Sequence, residues 1–351
     1  MTINQSQLQQ LSQFELNPSS QKAALFNLIV YTQESRRTEY FTCLIKQIKN
    51  QFPCRIFFIV GAPKDSEDSI KIDILTEPLQ NNPNIFCDTI FIDAKGKSIS
   101  QVPFLLLPYF VSDLPIYLLW GQDPTTENSI LPHLLHYATR LIFDSEGVDF
   151  LAAFCTLLKR ILDTVTIPII DMNWSRISGW RMIMVETFDT RERLDPLINA
   201  STITITYNNA PDPLYFHPET QALYFQAWLA SCLGWTYHTS KREQDNLIIN
   251  YQTGKSEITV FLKPEIPEKK HPEGLLTIII TAKDDYYCKL ETTPEGLVNV
   301  HASDQYQCAL PFTFNLPILE SGRILMQELF YQQMSVHYLP ALEIMSHIEL
   351  R

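Results

Sequence analysis

The sequence predicts an α/β N-terminal domain with a mostly parallel sheet, followed by an α+β C-terminal domain. In the first half, apolar runs of strand length alternate with segments of helical period, the rhythm of parallel strands joined by helical crossovers. In the second half, strand-like runs follow one another with short turns between them. The chain has 351 residues. Because single cores stop growing at roughly 250–300 residues, two domains are expected.

Changes in composition mark the predicted boundaries. Residues 1–23, rich in Gln and Ser, are expected to form a flexible N-terminal segment. Residues 24–168 are assigned to the α/β domain and residues 169–351 to the α+β domain, since the pattern changes after Ile167 and Pro168.

The first domain opens with an apolar strand over 25–31 and a helix for which Thr38 is the expected N-cap. The helical face that the spacing turns inward comprises Phe41, Leu44, Ile45, Ile48 and Phe52. Later strands are expected over 55–60, 70–75, 85–92, 116–120 and 141–143. Helices are expected over 102–110, 129–139 and 149–162, the last with Phe150 facing inward.

The apolar stretch 102–120 is long enough to cross a bilayer. Pro103, Pro108, Pro115 and Asp113 interrupt it, and a lipid-exposed helix containing them would be costly. We therefore interpret the stretch as a buried helix, a turn and a buried strand.

The second domain is expected to begin with a helix over 173–188 and a strand over 202–207. A further helix opens at Pro218 and stops at Gly234, positions where these residue types suit helix ends. A hairpin and later strands are expected over 247–251, 258–262, 275–280, 286–290, 297–300 and 306–310. A final helix starts near Ser321.

Charge and cysteine usage exclude several function classes. Lys and Arg total 27 against 39 Asp and Glu, a net charge of −12 that disfavours nucleic acid and anionic membranes. The N-terminus lacks a basic segment followed by an apolar run, so a secretory signal is not expected and the predicted location is cytoplasmic. Seven cysteines without a CxxC spacing indicate free thiols in a reducing compartment.

Local motifs for catalysis are missing. Gly61-Ala62-Pro63 has proline where a dinucleotide-binding turn brings backbone N–H groups to the pyrophosphate. The Gly-Lys-Ser at 254–256 has Ile249 where a phosphate-binding loop has glycine. His133 and His136 have no further ligand at a spacing typical of metal sites. We predict no catalytic, cofactor-binding or metal residues, although local patterns do not address a site assembled from distant segments.

The stretch 169–184 contains two tryptophans, two arginines and an Asp/Asn pair, residue types that carry much of the energy at protein interfaces. Trp180 falls on an apolar stripe typical of core or of a seam between domains, whereas Trp174, Arg176 and Arg181 lie off it. Asp171 or Asn173 is the expected N-cap. The candidates for a partner-binding surface or a domain seam are Asp113, Trp120, Asp123, Asp171, Asn173, Trp174, Arg176, Trp180, Arg181 and Trp235.

Several segments together resemble the OpcA family, the assembly or activator proteins of glucose-6-phosphate dehydrogenase. In order along the chain they are NLIVY at 27–31, LPYFVSDLPIYLLWGQDP at 107–124, RLIFDS at 140–145, DMNWSRISGWR at 171–181 and WLASCLGW at 228–235. The resemblance runs from about residue 24 to the last helix, is densest over 107–235, and weakens after about Gly254.

The resemblance implies a non-catalytic protein without a cofactor that binds glucose-6-phosphate dehydrogenase, favours its active oligomer and supports the oxidative pentose phosphate pathway. The partner would carry out the NADP chemistry. The thiol redox control of some photosynthetic relatives is not carried over, because Cys288 and Cys308 lie far apart in sequence. The alternative is an α/β enzyme or sensor that binds a nucleotide or sugar phosphate at the carboxyl ends of its strands.

Overall fold

The computed structural model describes residues 21–35, 37–62, 66–126, 128–212, 217–254, 256–269, 274–316, 321–330 and 334–348. Most of the N-terminal segment predicted to be flexible, residues 1–20, lies outside the described residues. The chain divides into two compact units. The first comprises Met1–Gln122, Glu127–Phe143 and Leu325–Leu329, and the second comprises Asp123–Thr126, Asp144–Ile324 and Phe330–Arg351. The predicted domain boundary at residue 168 stays a prediction.

The first unit is built on a mostly parallel sheet, as predicted. Its strands are β1 Gln21–Lys22, β2 Asn27–Gln33, β3 Arg55–Gly61, β4 Ser69–Leu79, β5 Asn82–Lys95, β6 Ile116–Trp120 and β7 Arg140–Phe143. Within this unit the order is β1-β5-β3-β2-β6-β7, all neighbours being parallel, and β4 pairs antiparallel with β5. Its helices are α1 Arg37–Gln51, α2 Val102–Leu106 and α3 Leu131–Leu135.

The second unit is α+β, again as predicted. Its first part contains α4 Leu151–Thr164, β8 Ile169–Asp171, α5 Met172–Arg176, α6 Ser178–Thr187 and α7 Arg191–Ile198. The strands that follow are β9 Ala200–Asn208, β10 Thr236–Glu243, β11 Asn246–Gln252, β12 Glu257–Glu265, β13 Leu275–Ala282, β14 Tyr287–Thr292, β15 Leu297–Ser303 and β16 Phe312–Asn315. Helix α8 is Glu219–Leu233, and the chain closes with α9 Ser321–Phe330 and α10 Tyr338–His347.

The strands β9–β16 form an eight-stranded sheet in the order β10-β11-β12-β9-β13-β14-β15-β16. Strands β12 and β9 run parallel, and the other neighbouring pairs run antiparallel. Fully buried residues alternate along these strands, and α7 and α8 contact β9, β12 and β13. A sheet with helices on one face is typical of α+β domains.

Several predicted helices are shorter or broken. The helix predicted over 102–110 contains α2 and a 3-10 turn at Leu107–Tyr109, since Pro108 lacks the N–H that a continuing helix needs. The helix predicted over 129–139 reduces to α3. The helix predicted over 173–188 breaks at Ile177, whose φ of −86° and ψ of 3° are not helical. None of the described helices has the length and apolar character needed to span a bilayer.

Three local predictions were wrong. Thr38 lies inside α1, and Ser35 Oγ accepts the hydrogen bond of the Arg37 N–H at the helix start. Phe150 precedes α4 and is 69% exposed. The strand predicted over 306–310 is a loop, because Asp304 Oδ1 accepts the N–H groups of the two residues Tyr306 and Gln307 and so replaces ladder bonds.

Candidate functional site

The carboxyl ends of β2 and β6 are the place where an open parallel sheet usually holds a ligand. Strand order runs outward from β2 in both directions, so the switch point lies between these two strands. Tyr31 of β2 and Trp120 of β6 pair in register there, and their rings stack at a centroid distance of 4.2 Å and an angle of 14°. The two side chains are 2% and 0% exposed. Aromatic rings of the chain itself therefore occupy the switch point.

The glycines at this edge lie against aromatic rings. A Cβ atom on Gly61, the last residue of β3, would lie 2.6 Å from Tyr31 Oη. A Cβ atom on Gly121 would lie 2.3 Å from the ring of Phe41. Burial raises the pKa of the Tyr31 hydroxyl to about 12, against the opposing effect of a hydrogen bond with Asn128. Close packing of aromatic side chains accounts for these glycines.

A polar cluster in the interior of the second unit begins at Asp171, the last residue of β8. Its Oδ1 accepts the N–H of Asn173 at 2.9 Å and that of Ser145 at 3.2 Å, and its Oδ2 accepts the hydroxyl of Tyr224. Of the two predicted N-cap residues, Asp171 is therefore the one that caps α5. Complete burial raises the pKa of its carboxyl to about 6, although the hydrogen bonds favour the charged form.

Arg176 supplies the positive charge of this cluster. Its Nη1 lies 2.9 Å from Asp144 Oδ1 and its Nη2 lies 3.3 Å from Asp144 Oδ2, a bidentate pair whose side chains are 5% and 0% exposed. The Arg176 Nη1 also donates to Asn173 Oδ1 at 2.7 Å. We call Asp144, Ser145, Glu146, Asp171, Asn173 and Arg176 the buried polar cluster.

Glu146 completes the buried polar cluster. It accepts the N–H of His217 at 2.6 Å and the amide of Asn173 at 3.2 Å. Burial raises the pKa of the Glu146 carboxyl, and the nearby Arg176 opposes that rise. The described residues contain no group of three or more His, Cys, Asp or Glu side chains arranged to hold a metal ion. The arrangement joins the start of α5 to two loops and exposes no reactive group.

Sequence reasoning missed Asp144, Glu146 and Tyr224. The signal for Asp144 and Glu146 was their position directly after the buried strand β7. Functional side chains often lie at the carboxyl end of such a strand. Tyr224 gave no local signal, because it lies among apolar residues in the middle of α8.

The tryptophans among the predicted residues are interior. Trp174 is 4% exposed and packs against Tyr338 at a centroid distance of 5.1 Å. Trp180 packs against Phe225 at 6.4 Å, and Trp235 packs against Tyr251 at 5.9 Å. All three tryptophans are buried in the second unit.

The remaining predicted residues differ in exposure. Asp113 is exposed, with a left-handed φ of 63° in the turn before β6. Asp123 is buried and organises its own loop, accepting the N–H of Thr125 at 2.8 Å and that of Asp149 at 3.2 Å. Arg181 is partly exposed, and its guanidinium lies 4.1 Å above the ring of Trp174.

Arg181 borders an open surface groove of about 430 Å³. Its lining residues are Ser178, Arg181, Met182, Val185, Glu186, Trp228 and Ser335. Met182 and Val185 are exposed apolar side chains on α6. The structure thus brings Asp171, Asn173 and Arg176 together in the buried polar cluster and places the partly exposed Arg181 over the ring of Trp174. Whether any of the ten residues contacts a partner stays a prediction.

Comparison with known proteins identifies the family. A family model described as the glucose-6-phosphate dehydrogenase subunit N-terminal domain matches residues 45–160. A second model, described as the C-terminal domain of the same subunit, matches residues 167–342.

Curated relatives agree with these matches. A protein of Nostoc punctiforme named OxPP cycle protein OpcA is 24% identical over 186 residues, which is 52% of this chain and 38% of the relative. A protein of the same name from Synechococcus elongatus is 26% identical over 214 residues, 59% of this chain and 46% of the relative. The matched part thus spans less than half the length of these relatives.

Among solved structures, a 3-ketoreductase mutant from Actinomadura kijaniata, in complex with TDP-benzene and NADP, shares the fold. Its TM-score is 0.51 at 9% identity, over 92% of this chain and 98% of that chain. The fold is therefore also found in oxidoreductases. The two family models, which together cover most of the sequence, show that the chain belongs to the OpcA family.

Proposed function

We propose that this chain is a non-catalytic assembly factor and allosteric activator that binds glucose-6-phosphate dehydrogenase and promotes its active oligomer, so supporting the oxidative pentose phosphate pathway. The observation that carries the proposal is the match of both subunit-domain models, over residues 45–160 and 167–342. An odd number of cysteines without CxxC spacing suits a reducing compartment, and we propose the cytoplasm as the location.

The filled switch point supports a role without coenzyme chemistry. Tyr31 and Trp120 stack where a related fold would receive a nucleotide, and any Cβ atom on Gly61 would overlap the Tyr31 hydroxyl. A dinucleotide would have to displace two buried aromatic side chains, each of which contributes a large apolar area to the core. In the proposed complex the dehydrogenase supplies the NADP site.

The mechanism we infer is a population shift. A protein that binds the assembled state of an enzyme more tightly than the dissociated state stabilises assembly by the difference in binding free energy. No covalent step is required of the activator.

We propose the groove beside Arg181 as the contact surface. The Trp174 ring holds the Arg181 guanidinium in place, so less side-chain entropy is lost when Arg181 pairs with a carboxylate of the partner. Exposed Met182 and Val185 supply the apolar part of the contact. Trp174 is a positioning residue for Arg181, whereas Arg176 lies in the interior, paired with Asp144.

The test is a titration of glucose-6-phosphate dehydrogenase from the same organism with this chain, reading activity and oligomer mass. We expect activation by the wild-type chain. For Arg181→Ala, a loss of about 1.4 kcal/mol would raise the concentration for half-maximal activation about tenfold. Arg193→Ala is the matched control, since Arg193 is a surface arginine of α7 in a 3.6 Å ion pair with Asp189. Equal activation by the wild-type chain and Arg181→Ala would reject the groove, and no activation by the wild-type chain would reject the function.

Thermal-shift measurements with NADP, NAD, ATP and glucose 6-phosphate separate the proposal from the nucleotide or sugar-phosphate alternative. A ligand at 100 times its Kd stabilises a binding protein by about 2.7 kcal/mol. We expect no shift with any of the four. A saturable shift with NADP, or turnover by the purified chain, would contradict the non-catalytic role.

A further inference from the structure

We propose that the face of the second sheet opposite α7 and α8 is an interface between two copies of this chain. The proposal does not depend on the dehydrogenase. On the helix-covered face, Ile203, Ile205, Val260, Ile278 and Ile280 are fully buried. The alternating residues between them point to the other face, which we call the outer face.

On the outer face, the central strands β9 and β13 present threonine and isoleucine, and charged residues lie on the flanking strands β12 and β14. One row of laterally paired residues runs Lys263, Thr206, Thr277 and Glu291 across β12, β9, β13 and β14. The next row runs Phe261, Thr204, Ile279 and Lys289 across the same strands. Phe261, Thr204 and Ile279 are only partly covered among the described residues.

The first row is complementary to itself under a twofold rotation. An axis that lies along the strands, between β9 and β13, brings β12 of one copy opposite β14 of the other. Lys263 of each copy then faces Glu291 of the other copy, so two ion pairs form between the copies. In the second row, Phe261 faces the cation of Lys289, and Thr204 faces Ile279.

The monomer already holds these charges near their positions. Lys263 Nζ lies 5.6 Å from the ring of Phe261, and Lys289 Nζ lies 2.8 Å from Glu291 Oε1. Twofold self-complementarity is a requirement for an isologous dimer and for no other kind of partner. It therefore favours a second copy as the occupant over an unrelated protein.

The size and charge of the face also fit a dimer. Eight strands about 4.8 Å apart, each with about seven residues rising about 3.4 Å, present on the order of 900 Å². A stable protein interface needs about 800 Å² from each partner. Because each copy carries a net charge of −12, association is favoured where the facing surfaces are close to neutral, as these two rows are.

The test measures mass by light scattering and sedimentation across micromolar concentrations. We expect the wild-type chain to reach twice its 40.6 kDa. Lys263→Glu and Glu291→Lys, which each place like charges opposite one another, should each weaken the dimer at least tenfold. The double variant, with both charges exchanged, should return to within threefold of the wild-type Kd. Lys71→Glu, at an exposed position on β4, is the control and should leave the dimer unchanged.

Other outcomes overturn the proposal. A wild-type chain that stays monomeric at every concentration would do so, as would single variants that dimerise like the wild type or a double variant that fails to recover. Thr204→Arg, checked for native circular dichroism, adds two cations near the axis and should leave a monomer. If the free chain is monomeric and the outer-face variants instead lose activation of the dehydrogenase, the face binds that partner and the dimer is rejected.

Discussion

At the scale of single residues, the ion pair between Arg176 and Asp144 compensates charge in the buried polar cluster. The Arg176 guanidinium pairs with the buried carboxylate of Asp144 and also favours the charged form of the buried Glu146. A buried ion pair contributes little net stability, but removal of one partner leaves an uncompensated charge in the interior.

Arg176→Ala should therefore lower the free energy of unfolding by about 3–5 kcal/mol. Arg193→Ala removes a surface ion pair and should cost less than about 1 kcal/mol. Urea denaturation at pH 7 measures both. If the two variants lost equal stability, the guanidinium of Arg176 would have no special role.

The carboxyl of Asp171 makes stability depend on pH. Its pKa is about 6 in the folded chain against 3.8 for the ordinary group. Between these values the folded state holds a proton that the unfolded state has released, so the stability from this group is present below about pH 4 and is lost as the pH rises to about 6. The loss amounts to about 3 kcal/mol.

Asp171→Asn keeps a good N-cap residue and should remove this part of the pH dependence. Urea denaturation of both proteins at pH 4, 5, 6 and 7 gives the difference in their unfolding free energies. We expect that difference to move in favour of the variant as the pH rises. A constant difference across this range would show that the pKa of Asp171 is the same folded and unfolded.

At the scale of elements, α1 packs against the end of β6, next to the switch point. Gly121 follows β6 and lies against Phe41 of α1, which is fully buried. The sequence predicted both elements and the inward face of α1 except for Phe52, which follows the helix and is partly exposed. It did not predict that aromatic rings fill the crevice, because packing between distant segments leaves no periodic pattern.

Gly121→Ala should destabilise the chain by about 1–3 kcal/mol, since the added methyl group overlaps the Phe41 ring and the core must shift. Gly254→Ala is the control and should stay within about 0.5 kcal/mol of wild type, since no heavy atom of the described residues, apart from its chain neighbours, lies within 4 Å of the new Cβ. Thermal unfolding compares the two. Equal melting temperatures of the two variants would show that Gly121 and Phe41 pack less tightly than in the structure.

At the scale of the whole molecule, the reactivity of the seven cysteines measures how tightly the two units are packed. Cys43, Cys232 and Cys308 are exposed, and the other four are buried. Burial raises the pKa of the buried Cys54, Cys87, Cys155 and Cys288, which disfavours the reactive thiolate.

A thiol reagent should therefore modify three cysteines in the native chain and all seven after denaturation. Mass spectrometry of the intact protein counts the added groups. Rapid native modification of more than three would mean that one of the two cores opens readily.

The sequence by itself determined the order of an α/β and an α+β part, the inward face of α1 and the family resemblance, because periodicity and local motifs are properties of neighbouring residues. Only the tertiary structure decided which of the candidate side chains are buried and which are exposed. Trp174 and Arg176 lie off the predicted apolar stripe, yet their side chains are interior, since α8, α10 and the loop after β7 cover them. Burial and charge pairing depend on segments far apart in the chain, and only the folded chain brings those together.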